Sequence, residues 1–436
     1  MRKIIQYMMM ALIAVVLASC ANDISEESTP TVKSNIRFVV DDFPMFEKPS
    51  TRTIGEEDKG KTAWAVGDEI CVKLESKELG IQTATLKYNG VKFEIQDGNS
   101  LCYLEGEPVT AYAYYAPNRR WRNGSLDFKD IFGNPNGTAE FLEATCTVHY
   151  GDNNYVDISF ANATRNYSRL RIATIPKTEI KVDADVFSPT DNSNRLYMTY
   201  TLTSDEKGNA YLYGTFYNNS IVTVKYRGAT LKTYKFSKET ENAKSYALDA
   251  TVVSLADEGL TFDQIVEDVK KELYAGKTYI NLILAPDVDK KTLDAIHIGL
   301  HDAGSGSINL TLIGCKKIPY EGFKLFDMLK SIALPDVTEI EENAFSDCSG
   351  LQKVVLGNLT KVYGNVINNG IFDGLDTKYI DLVLSEDQKV MNDGEAEGRY
   401  CWTADIITDY DISDEHVSKK FLGYEFKSIT CRYKFE

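Results

Sequence analysis

The sequence predicts a mainly β chain: two consecutive β-sandwiches followed by a short α/β array of stacked repeats. Three observations carry this. Short runs with period-two alternation, many of them aromatic, fill the chain from residue 36 to about 250 and are separated by turn residues. A helical spacing of apolar residues follows. After it, short apolar strands recur at intervals of 22 to 28 residues, a period that belongs to repeat architectures.

The chain opens with a basic start, Arg2 and Lys3, then an apolar run from Ile4 to Leu17 broken chiefly by Gln6. That run is too short to span a bilayer, which takes about 20 apolar residues. Leu17-Ala18-Ser19-Cys20 closes it as a lipoprotein signal closes. Residues 1–19 therefore read as a signal peptide and Cys20 as the lipidation site. Two or more acyl chains anchor stably, so the expected partner is a membrane, reached through Cys20. Residues 20–34 hold Asp23, Glu26 and Glu27 among Ser, Thr and Pro and read as an acidic tether. Acids just after the lipidated cysteine resemble the outer-face address of some Gram-negative surface lipoproteins, which sets the expected location at the outer membrane, on the cell surface.

Residues 35–149 form the first expected sandwich. Its strands read as Ile36–Val40, Glu69–Leu74, Ala84–Tyr88, Val91–Ile95 and Val109–Tyr114, with Tyr88-Asn89-Gly90-Val91 as a type I′ hairpin turn. Residues 150–250 form the second. Val156–Phe160 opens it, Leu170–Ala173 and Ser245–Leu248 belong to it, and Leu196–Leu202 with Ala210–Tyr213 read as a hairpin around Lys207-Gly208-Asn209.

Thr51-Arg52-Thr53, Thr62-Ala63-Trp64 and Gly67-Asp68-Glu69-Ile70, ahead of two β-rich blocks and behind a lipoprotein leader, resemble the fimbrillin family of surface adhesins and pilus subunits. The resemblance implies transthyretin-like sandwiches. Some members are cut after an arginine to free a groove for a donor strand, and Arg52 stands where such a cut is conceivable. On the residues alone, Arg52 is a polar loop position.

Residues 251–385 form the third block. Phe262, Ile265, Val266, Val269 and Leu273 share one helical face, with Thr261 as N-cap. The repeats then end on Leu284, Leu312, Leu334, Leu356 and Leu384. This is the pattern of leucine-rich repeats, and Val337, Ile340, Ala344, Phe345, Cys348 and Leu351 resemble the BspA type. The rung at Asn368–Phe372 departs from it. Residues 386–436, with Trp402, Tyr424, Phe426, Ile429 and Tyr433, read as a C-terminal cap.

Composition narrows the function. The formal charge is −16, and two units more negative once Arg2 and Lys3 leave with the leader, which excludes a nucleic-acid partner. Seven cysteines besides Cys20, odd in number and scattered, are no disulfide framework, although a pair such as Cys401 and Cys431 is open to bridging. No catalytic constellation stands out, and no cofactor is expected. His297 and His301 lack the glutamate of a zinc-protease motif, and Cys146 and His149 fall on opposite faces of one strand. The candidate ligand contacts are Trp121, among Arg119, Arg120 and Arg122, with Tyr112 and Tyr114, since tyrosine gives large contact area at low entropy cost. The expectation is a non-enzymatic, lipid-anchored surface adhesin with a protein ligand. A glycan-binding surface lipoprotein is the alternative.

Overall fold

The computed structural model describes residues 32–33, 36–48, 59–96, 101–117, 121–122, 125–126, 137–150, 154–160, 165–188, 191–257, 259–304, 306–367, 369–410 and 419–431; at 33, 121–122, 125–126, 186–188 and 191–197 only the backbone is described. The chain is mainly β, with 47% strand and 9% helix arranged in several sheets.

The first sheet has seven strands, in the order Arg37–Val40, Tyr155–Ser159, Leu142–His149, Val109–Tyr115, Glu69–Ser76, Gly80–Tyr88 and Phe93–Ile95. It curls so far that its two edge strands come back within 8 Å, Cα to Cα. Period-two alternation sends Ile70, Val72 and Leu74 inward, onto Phe38, Leu86, Ala113, Leu142 and Val156. Trp64 closes the core edge-on to Phe43 at 4.8 Å and to Phe93 at 4.9 Å.

Two expectations for this region change. Tyr155–Ser159, expected to open the second block, pairs with both Leu142–His149 and Arg37–Val40 and so completes the first sheet. The Asn89-Gly90 turn is not a two-residue type I′ turn, because Tyr88 pairs with Phe93 across four residues. Gly90 alone among them takes a positive φ, and the Asn89 side chain accepts hydrogen bonds from the N–H groups of Val91 and Lys92.

Next come two sheets packed face to face. One has three strands, Asn209–Gly214, Ser168–Ala173 and Ser245–Asp249; the other has four, Asp191–Thr203, Glu179–Ser188, Ile221–Tyr226 and Ala229–Lys235. Leu170, Ile172, Leu212 and Leu248 from the first meet Ile180, Val182, Tyr200, Val222, Val224 and Leu231 from the second in one core. The expected hairpin at 196–213 is a crossover instead, since its two strands lie in opposite sheets. Gly208 fixes that crossover: its φ is +81°, and a Cβ there would sit 2.4 Å from the Thr174 carbonyl oxygen.

The first sheet's chain also borders the three-stranded sheet at both ends. Glu47 bridges Lys244 in parallel, with Ser245 N–H donating to the Glu47 carbonyl at 3.0 Å, and Tyr213 N–H donates to the Gly137 carbonyl at 2.7 Å. Between them, the Tyr167 hydroxyl donates to the Phe141 carbonyl and Arg165 pairs with Glu140, both residues buried.

The third region is an array of parallel rungs. Val253–Ser254, Tyr279–Ile283, Ile308–Ile313, Leu329–Leu334, Lys353–Leu356, Asp381–Leu384 and Ser428–Cys431 form one all-parallel sheet. Helices α1 (Phe262–Tyr274) and α2 (Lys290–Asp302) belong to its early rungs. As expected, Thr261 caps α1, and Gln264 completes a capping box with it. The register differs by one step of two: Leu282, not Leu284, pairs with Leu312. The rung whose residues depart from the Ala-Phe pattern still stacks on its neighbour. Ile371-Phe372 stands where Ala344-Phe345 stands, with Phe345 N–H donating to the Ile371 carbonyl at 2.8 Å. Phe323, Phe345 and Phe372 are buried and stack at 5.4 and 5.3 Å, a ladder down the middle of the array.

A second sheet closes the array's other side, in the order Lys317–Ile318, Glu339–Ile340, Lys361–Tyr363, Arg399–Asp409 and Lys389–Ala396. The tail thus does more than cap. It adds two strands to this sheet and the last rung to the parallel one.

Candidate functional site

Cys20 and Arg52 lie outside the described residues. Trp121 sits in a two-residue strand whose backbone pairs with Leu126. Tyr112 and Tyr114 project from one face of the first sheet, opposite to the core. The Lys73 ammonium lies 4.2 Å from the Tyr112 ring centre, and Tyr114 stacks on Phe141 at 5.8 Å beside buried Cys71. Burial, with Glu143 adding to it, pushes the Tyr114 phenol up to about 12. The two tyrosines are together, on the face of the sheet away from its core.

The other candidates resolve into packing. His297 stacks on Phe326 at 4.1 Å, and burial, reinforced by His301, lowers its pKa. His301 is exposed. Cys146 packs against the core side of the first sheet, while His149 stacks on Tyr155 at 4.2 Å and hydrogen-bonds Asp157 on the other side. Among the described residues no cysteine forms a disulfide, Cys401 and Cys431 included. Among the described residues, no group of three or more His, Cys, Asp or Glu is placed to hold a metal ion. No described helix is long and apolar enough to cross a membrane.

A concave site does exist, where the first sheet meets the face-to-face pair. It is a cleft of about 890 Å³. Tyr115 reaches it from the first sheet, and Tyr211 and Tyr213 reach it from the strand Asn209–Gly214. Lys61 lies under Tyr115, with its ammonium 3.3 Å from the phenol oxygen and paired to Asp68. The Arg169 guanidinium stacks over Tyr211 at 4.3 Å and donates to the Ser245 hydroxyl at 3.1 Å. Tyr211 hydrogen-bonds Asp205 at 3.3 Å, across from the buried Glu140–Arg165 pair. Burial raises the pKa values of Glu140 and of the Tyr211 phenol. Sequence reasoning missed this cleft. Tyr211 and Tyr213 are visible as alternate residues of one strand, but nothing in the pattern says that Tyr115 arrives from a separate sheet.

The array offers a different kind of surface. Its strand face is partly covered: Ala229 packs on Ala333 and Val355, Asn281 donates to the Leu231 carbonyl at 3.1 Å, and Arg227 pairs with Asp336. The turn segments on the opposite flank stack by backbone hydrogen bonds, from Glu321 N–H to Glu342, Leu325 N–H to Ser346 and Asn343 N–H to Asn369. Tyr320 (50% exposed), Leu325 (57%), Val366 (47%) and Ile367 (83%) lie on these turns.

No protein-family model matches the chain, and no curated protein matches it. Solved structures similar to parts of it include the following two. One is a candidate cell adhesion protein of Bacteroides fragilis NCTC 9343, at 10% identity, covering 50% of this chain and 93% of that one, with a TM-score of 0.23. The other is the fimbrial anchor protein Mfa2 of Porphyromonas gingivalis, at 9% identity, covering 46% of this chain and 82% of that one, with a TM-score of 0.21. Likeness of that degree carries no argument about fold or function.

Proposed function

We propose that the chain is a lipid-anchored cell-surface adhesin, or fimbrial-type interaction protein, that binds a protein ligand through the stacked turns of its C-terminal array. The observation that carries this reading is the contrast between the two flanks of the array. The strand face is partly covered by the preceding sheets, whereas the turns carry exposed Tyr320, Leu325, Val366 and Ile367. Large apolar side chains left in water along a stacked surface mark an interaction site. In this reading the two earlier blocks are transthyretin-like sandwiches of fimbrillin type, the array is a leucine-rich repeat of BspA type, and the anchor is Cys20. No chemistry is assigned to it, and its net negative charge keeps nucleic acid away.

Protease treatment of intact cells tests the location, comparing wild type with Cys20→Ala. Digestion of the wild-type protein on intact cells supports the surface reading, and full protection sinks it. Adherence of the same cells should fall in the double variant Leu325→Lys with Ile367→Lys, both on exposed turns.

A second reading has its own observation. The cleft around Tyr115, Tyr211 and Tyr213 favours a glycan-binding surface lipoprotein, because clefts of about 300–1,000 Å³ with converging polar groups are where small ligands bind.

A further inference from the structure

We infer that the cleft between the first sheet and the face-to-face pair is a saccharide site, with Tyr211 as its central contact and with no part played by Trp121, Tyr112 or Tyr114. The inference rests on the glycan-binding reading and adds to it the position of the site and the class of ligand.

Charge selects the class. Lys61, Arg169 and Lys207 line the cleft together with Glu140, Asp205 and Glu206, three cations with three anions. A simple ion of either sign meets as many like charges there as opposite ones. A neutral polyhydroxyl ligand meets no such conflict, since each hydroxyl both donates and accepts. The aliphatic lining is sparse, chiefly Leu202 and Pro117, so the cleft lacks the apolar pockets that peptide anchors fill. The tyrosines supply what a sugar ring needs instead, an apolar ring face with a polar tip. Tyr211 is half-buried and held at both ends, by Asp205 at its hydroxyl and by the Arg169 guanidinium over its ring, so little side-chain freedom remains to be lost on binding.

The site is also made by two parts of the fold. Tyr115 and Lys61 come from the first sheet's chain, and Tyr211, Tyr213 and Arg169 come from the three-stranded sheet. Backbone contacts on both sides of the junction, Glu47 with Lys244 and Gly137 with Tyr213, hold the walls in place. A preformed site of this kind needs no closing motion.

The test is binding of the full chain, in detergent, to a printed array of neutral and uronate-bearing oligosaccharides. Four proteins are compared: wild type, Tyr211→Ala, Thr203→Arg and Trp121→Ala. Thr203 lies on the cleft wall and is exposed, so an arginine there obstructs the cleft without entering the core. An unchanged melting temperature for Thr203→Arg separates obstruction from misfolding. The expected result is binding of neutral oligosaccharides at least as strong as that of uronates, lost by roughly tenfold or more in Tyr211→Ala and Thr203→Arg and kept in Trp121→Ala. Binding that survives Thr203→Arg but disappears in Trp121→Ala overturns the cleft and leaves the glycan reading standing. Binding confined to the uronates overturns the ligand class. A wild type that binds no oligosaccharide on the array overturns both the inference and the reading beneath it.

Discussion

The phenylalanine ladder of the array should behave as a chain of pairwise contacts, and a set of double-mutant cycles measures this. Phe345 lies between Phe323 and Phe372, with ring centres at 5.4 and 5.3 Å and interplanar angles of 5° and 17°. Each aromatic pair contributes about 0.5–1.5 kcal/mol beyond area burial. Replacing Phe345 by leucine keeps most of the apolar volume but removes two such pairs, so about 1–3 kcal/mol of pairing is lost, with under about 1.5 kcal/mol more from imperfect repacking. The single changes Phe323→Leu and Phe372→Leu each remove one ladder pair. Combined with Phe345→Leu, either should show a coupling of about 0.5–1.5 kcal/mol. Phe323 and Phe372 do not stack on each other, so their double variant should be additive to within about 0.5 kcal/mol. The readout is native-state hydrogen exchange at the rung amides of Val354, Val355 and Leu356, which reports local opening without requiring the whole chain to unfold in one step. Coupling between Phe323 and Phe372 as large as that of the neighbours, or none in either neighbouring pair, would refute the ladder as described.

Three further outcomes follow from the same structure. Asp336 is buried and accepts the Gly314 N–H at 2.9 Å besides pairing with Arg227, so Asp336→Ala should destabilise the protein by about 1–3 kcal/mol in thermal unfolding, mostly through the stranded N–H rather than the half-exposed arginine. The Ser428 hydroxyl, and after it Lys427, hold the Asp381 carboxyl below its ordinary value of about 3.9. A depressed carboxylate stabilises the fold above its unfolded pKa and loses that contribution as pH falls through the folded one. Wild type should therefore exceed Asp381→Asn in stability at pH 6, with the gap closing below about pH 4; a gap that persists at pH 2 contradicts the assignment. Burial pushes the Cys146, Cys315 and Cys348 thiols up to about 12, and the Cys348 thiol donates to the Phe323 carbonyl at 2.9 Å. Alkylation at pH 8 followed by peptide mass spectrometry should leave these three unlabelled until denaturant is added, and fast labelling of Cys348 in the native protein would show that its rung is open.

Much of the local structure was legible in the sequence, because it is written in local chemistry. Thr261 with Gln264 marks the start of α1, and the alternation of Ile70, Val72 and Leu74 marks a half-buried strand. The long-range pairings were not legible. Period two says which face a residue takes but not which strand lies beside it, so Tyr155–Ser159 was assigned to the wrong sheet and the crossover at 204–208 looked like a hairpin. The register at Leu282 shows the same limit from the other side. Leu282 and Leu284 face the same way, and only the backbone hydrogen bonds to the next strand choose between them. The proposed site suffered most. Tyr112, Tyr114 and Trp121 cluster in sequence, which made them conspicuous, whereas Tyr115 and Tyr211 meet only because two sheets are joined.

That joint also has a mechanical meaning. At Glu47 and Lys244 the chains of the two parts run parallel, side by side. A pull between the amino terminus and the far array draws parallel neighbours past each other only when their hydrogen bonds yield together, whereas an antiparallel hairpin opens one bond at a time from its end. The buried Tyr167 and the Arg165–Glu140 pair lie beside this seam and must move with it. A molecule tethered at one end and loaded at the other would thus meet resistance at the junction between its parts.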